Sequence, residues 1–111
     1  MTPLECLFCK IIHKELPADI VYEDETVLAF LDIHPRAPEH FLFVSKKHIA
    51  SIKEDGAEDL ARVLIAAAKT VARQKDFHGY KIVFNVGREA GQTIDHLHLH
   101  LLSGGPSELT I

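Results

Sequence analysis

The segment His96-Leu97-His98-Leu99-His100-Leu101-Leu102 constrains the fold more than any other stretch of the chain. Strict alternation of two residue types is the period of a β-strand, where neighbouring side chains point to opposite faces. The reading is a final strand over Ile94 to Leu102, with Leu97, Leu99 and Leu101 turned into a core and three imidazoles turned the other way. One histidine on a polar strand face would carry no message. Three of the chain's eight histidines in alternation, within five positions, mark a surface built for chemistry or for a metal. From spacing alone, a three-histidine metal site and a histidine nucleophile both remain open.

The rest of the chain supplies partners for that strand. Leu4, Leu7, Phe8, Ile11 and Ile12 have helical spacing and predict a short helix over Leu4 to Lys14, stopped by Pro17. Ile20 to Glu23 and Thr26 to Leu31 are β-rich runs joined by Asp24-Glu25, a hairpin. Pro35 and Pro38 mark a loop, and His40 to Ser45 is a further strand. Ala57 to Gln74 is the longest helix. It is apolar on more than one side, through Leu60, Val63, Leu64, Ile65, Ala67, Ala68 and Val71, so two covered faces are expected. Tyr80 to Val86 reads as a strand and Gly87 to Thr93 as a glycine-bearing loop. With too few helices for βαβ alternation, the expectation is an α+β domain: an antiparallel sheet of about five strands, with one long and one short helix on one face.

Size and charge narrow the function. The 111 residues suit a single domain over 1–111, and a net charge of −4 argues against nucleic acid as the main partner. The longest apolar stretch, Val63 to Ala68, is too short to span a membrane. The opening MTPLECLFCK lacks the basic start and apolar core of a signal peptide, so cytoplasmic residence is expected. The two cysteines are then read as metal ligands or packing groups rather than a disulfide.

Imidazole is both a nucleophile and a base near neutral pH, and flanking imidazoles can donate to a phosphate and stabilise its developing charge. The central residue, His98, is the natural nucleophile because groups on both sides can assist it. Asn85, at the end of YKIVFNV, and the loop Gly91-Gln92-Thr93 precede the histidine strand. Glycine-loop N–H groups with Gln and Thr side chains suit phosphate oxygens.

On these residues the sequence closely resembles the histidine-triad family, in particular its compact purine nucleoside phosphoramidase branch. FCKIIHKELPADIVYEDE, VLAFLDIHPRAPEHFLFVSKKHI and FNVGREAGQTIDHLHLHLL carry the match over nearly the whole chain. The resemblance implies that His98 attacks an α-phosphorus to form a covalent nucleotidyl-imidazole, which water then releases as the monophosphate. It implies phosphate binding by His98, His100, Asn85, Gln92 and the backbone from Gly91 to Thr93, and acceptance of ribose hydroxyls by Asp32. It makes Leu7, Phe8, Ile11, Phe30 and Ile33 walls of a purine pocket, although spacing alone would read them as core. His40 matches a supporting position near the active site. The branch consists of homodimers that join their sheets and pack the long helix at the interface.

Cys6-Leu7-Phe8-Cys9 has the spacing of half a zinc site. The resemblance supplies the other ligands, His48 and His96, and implies a closed structural zinc. His96 then acts in catalysis only indirectly. His13, His34 and His78 are read as solvated, and Lys46-Lys47 as an exposed basic pair. The tail SGGPSELTI departs from relatives that carry an aromatic there, and Gly104-Gly105-Pro106 predicts a turn. No basic residue adjoins the triad in sequence, which leans the reading toward phosphoramidates over dinucleoside polyphosphates. A nucleotide-binding sensor or scaffold with incidental hydrolysis is the non-enzymatic alternative.

Overall fold

A computed structural model describes residues 4–105. Helix α1 (Leu7–Ile12) starts from Cys6, whose Sγ accepts the Cys9 N–H at 3.4 Å. It is shorter than the expected Leu4 to Lys14. Cys6 caps it at one end, and Lys14 leaves helical geometry with φ 64° at the other. Strands β1 (Ile20–Glu23) and β2 (Val27–Leu31) form the expected hairpin. Asp24 Oδ1 accepts the Thr26 and Val27 N–H groups at 2.8 Å each, which draws Thr26 into the turn and out of the strand.

Strand β3 (Glu39–Ser45) and helix α2 (Ala57–Gln74) follow, then β4 (Lys81–Val83), a 3-10 turn over Arg88–Ala90, and β5 (His98–Ser103). The strands form one antiparallel sheet in the order β1-β2-β3-β5-β4. The class is α+β, as expected. Two strands are shorter than their sequence patterns. β4 ends at Val83 rather than Val86, and β5 begins at His98, leaving His96 in the bend before it. His96 therefore joins the triad from a bend, through its own contacts, and not through strand alternation.

The expectation of helices on one face is corrected. Helix α2 covers one face, where Ala57, Leu64, Ala68 and Val71 pack with Val27, Ala29, Phe41, Phe43, Leu99 and Leu101. Helix α1 covers the other, where Phe8, Cys9 and Ile11 pack with Leu28, Phe30, Leu42 and Val44. The unbroken apolar run Phe41-Leu42-Phe43-Val44 is buried throughout because β3 lies at the centre of the sheet, where both faces are covered. Helix α2 buries a single stripe, largely alanine, which lets its backbone lie close to the sheet. Of its expected second apolar face, Leu60 and Val63 pack partly buried against this core, while Ile65 is 37% exposed among the described residues.

His13, His34 and His78 are exposed, as expected. Lys46 is not free, since its Nζ donates to Glu23 Oε2 at 2.9 Å. Gly104 and Gly105 have φ of 83° and 79°, in keeping with a turn, while residues 106–111 of the tail lie outside the described residues. Among the described residues no helix is long and apolar enough to cross a membrane.

Candidate active site

Leu99 and Leu101 of β5 face α2 and its histidines face α1, so the sheet period delivers His98 and His100 to the side that α1 covers. There each imidazole makes a hydrogen bond whose direction settles its tautomer. The His98 Nδ1–H donates to the His96 carbonyl at 2.6 Å, which leaves the lone pair on Nε2. The His96 Nε2–H donates to the Ser45 carbonyl at 2.6 Å, which leaves its lone pair on Nδ1. The Arg36 N–H donates to His40 Nδ1 at 3.1 Å, so His40 carries its proton on Nε2. That Nε2–H donates to His100 Nδ1 at 3.0 Å, and the His100 proton is therefore on Nε2. His98 and His100 stand side by side with ring centroids 5.2 Å apart.

Burial keeps the row neutral. Desolvation is the main cause at each ring. It lowers His98 and His40 below the usual histidine range, and lowers His96 and His100 to about 4. The neighbouring His98 and His40 add to the effect on His100, and the Asp32 carboxylate opposes it. Asp32 lies 3.4 Å from His40 Nε2 through Oδ2, and its Oδ1 accepts the His34 N–H at 2.8 Å. Arg36 and Ser45 are the residues that sequence patterns missed. Arg36 works here through its backbone N–H and through a charge near His40 and His100, and Ser45 through its carbonyl. Neither contribution has a residue-type signature.

The loop before β5 is organised by Gln92, which is 4% exposed. Its Oε1 accepts the Gly87 N–H at 3.0 Å, and its Nε2 donates to the carbonyls of Ala50 and Ile94 at 2.7 and 3.0 Å. Its own N–H bonds the Gly87 carbonyl at 3.0 Å. The side chain expected to meet phosphate is thus committed to the loop itself. Asn85 Nδ2 donates to Ala90 O at 2.9 Å, Gly91 adopts φ 91°, which favours glycine, and Thr93 is exposed. Of the five expected pocket walls, Phe8, Ile11 and Phe30 are buried, while Leu7 and Ile33 are 44% and 83% exposed.

Two groups of possible metal ligands gather among the described residues, each with its ligating atoms within 4.8 Å of one another. In the first, Cys6 Sγ lies 3.3 Å and Cys9 Sγ 3.6 Å from His96 Nδ1, and Cys9 Sγ lies 3.2 Å from His48 Nδ1. Tetrahedral zinc with its usual bond lengths sets sulfur and nitrogen about 3.5 Å apart. The tautomer of His96 points its lone pair into this group, so the donor set fits the ion. Burial and the adjoining Cys6 push the Cys9 thiol up to about 11, a penalty that a divalent cation removes. The second group, Asp32, His40 and His100, fits poorly. The Arg36 N–H holds the His40 proton on the nitrogen that would have to ligate. It is a hydrogen-bond chain.

Comparison with known proteins places this architecture. A histidine triad protein of Clostridium difficile superposes with a TM-score of 0.91 at 37% identity, over 100% of both chains. A HIT family hydrolase of Legionella pneumophila superposes with a TM-score of 0.85 at 45% identity, over 92% of this chain and 95% of that one. The fold is therefore the HIT fold. The HIT domain matches residues 13–107, and the chain belongs to the HIT family. It is 42% identical over 107 residues to the purine nucleoside phosphoramidase of Escherichia coli K12, covering 92% of this chain and 89% of that protein.

Proposed function

We propose that the protein is a hydrolase that cleaves purine nucleoside phosphoramidates at the α-phosphorus, with His98 as nucleophile. The observation that carries this reading is the 2.6 Å hydrogen bond from His98 Nδ1–H to the His96 carbonyl. It holds a neutral, buried imidazole with its lone pair on Nε2, the form a nucleophile needs. Nε2 attacks phosphorus and the P–N bond to the leaving amine breaks, the amine taking up a proton as it departs. Water then attacks the nucleotidyl-imidazole, releasing the monophosphate and restoring the ring. The chain from the Arg36 N–H through His40 presents the Nε2–H of His100 as a fixed donor for a phosphoryl oxygen. Asp32 serves the ribose, Leu7 and Ile33 offer apolar surface to the base, and Asn85 and the Gly91 to Thr93 backbone take the remaining phosphate oxygens. The 42% identity to a purine nucleoside phosphoramidase supports this substrate class.

Cys6, Cys9, His48 and His96 would hold a zinc ion, whose role is structural: it ties α1 to the bend before β5. The protein acts as a homodimer. β4 is an outer strand with one edge turned away from the sheet, and Ile65 lies on the outward face of α2.

The test is mass spectrometry of protein quenched without acid after mixing with an adenosine phosphoramidate. An AMP-sized adduct on His98, absent from His98→Ala, with turnover lost by at least about a thousandfold, is the expected result. Turnover retained in His98→Ala would end the nucleophile assignment. Binding of AMP without turnover of any phosphoramidate would turn the reading to a nucleotide-binding module. Analytical ultracentrifugation tests the dimer.

A further inference from the structure

Helix α1 is where the cysteine–histidine cluster and the histidine face meet. At six residues it is far below the roughly 12–15 at which an isolated helix sustains itself, so its placement depends on what its side chains touch. Cys6 and Cys9 reach the cluster. Phe8, between them and 3% exposed, stands edge-on to the ring of His98 at 5.1 Å and to that of His96 at 5.9 Å. His98 is therefore oriented from two sides, by the His96 carbonyl and by the Phe8 ring. His96 is itself a cluster ligand and Phe8 lies between two others. Leu7, adjoining Phe8, is half exposed on the surface that the proposed function gives to the base.

We propose that Phe8 is a positioning residue that couples the metal cluster to the nucleotide site, so that zinc tightens AMP binding and AMP tightens zinc by the same factor. This rests on the nucleotide reading above. Drawing four donors onto one ion fixes α1 and the His96 bend relative to each other. Nucleotide binding must otherwise remove that freedom, and a first ligand that removes it lowers the cost for the second. Linkage makes the two effects equal.

The experiment closes a four-sided cycle. Zinc affinity is measured against a chromophoric chelator with and without AMP, and AMP affinity by calorimetry with and without zinc. The expected result is a common factor of about 5–100 on both sides. In Phe8→Leu that factor falls below about 2, while zinc alone binds as in the wild type. If Phe8→Leu does not fold, Phe8→Met, whose unbranched side chain adapts to an irregular gap, serves instead. A wild-type factor below about 2 with both ligands bound overturns the coupling and leaves the nucleotide reading standing. A factor unchanged in the Phe8 variant overturns the assignment to Phe8. Failure to bind zinc, or a metal-free protein that circular dichroism finds unfolded, overturns the inference as well. Failure of the zinc-loaded protein to bind AMP overturns the nucleotide reading, and the inference with it.

Discussion

Gln92 illustrates how residue type and residue role separate. Read as a sequence, a glutamine in a glycine loop before a histidine row is a phosphate ligand. In the fold its amide stitches Gly87, Ala50 and Ile94 together, and both ends of the side chain are engaged within the protein. Gln92→Ala leaves buried polar groups without partners, at about 1–3 kcal/mol, and urea denaturation is expected to register a loss of that size. AMP affinity measured well below the unfolding temperature changes less than in His100→Ala. A Gln92→Ala protein with native stability and lost AMP binding would restore the direct phosphate role. The histidines were legible because an imidazole's chemistry is written in its type and its spacing. Arg36 and Ser45 were not, because a backbone N–H and a carbonyl belong to every residue and only the fold aims them.

At the scale of elements, the long helix was legible to its last residue, since eighteen residues of periodic pattern outvote any local ambiguity. The side of the sheet on which α1 packs was not, because helical spacing tells which stripe is buried and not what buries it. The clue lay in Phe41-Leu42-Phe43-Val44, whose unbroken apolarity requires cover on both faces. Helix α2 holds its face through small residues around one large one, Leu64, which is fully buried. Leu64→Ala is expected to cost about 2–5 kcal/mol, since neighbouring alanines on the helix cannot collapse into the space. Chemical denaturation measures the loss, and a cost below about 1 kcal/mol would show that the helix moves to close the cavity. Turnover per folded molecule changes little, because the helix lies across the sheet from His98.

The molecule as a whole carries its site's electrostatics into its stability. His100 is held at about 4 by burial and by the neighbouring His98 and His40, while an unfolded chain returns it to about 6.5. Between those values the unfolded state binds the extra proton, so this group's contribution is complete above about pH 6.5 and is lost as pH falls toward 4. Melting temperature should fall more steeply from pH 7 to pH 5 in the wild type than in His100→Gln. Equal slopes would mean that His100 does not carry the effect. The two faces of the sheet also differ in content, with packing alone toward α2 and, toward α1, packing together with the imidazoles of the proposed chemistry. In β5 both tasks are served by one backbone whose side chains alternate. Inserting or deleting a single residue there would swing imidazoles into the core and leucines into the site, failing both tasks at once. Point substitutions can therefore reshape either surface of the strand independently, while its length is locked.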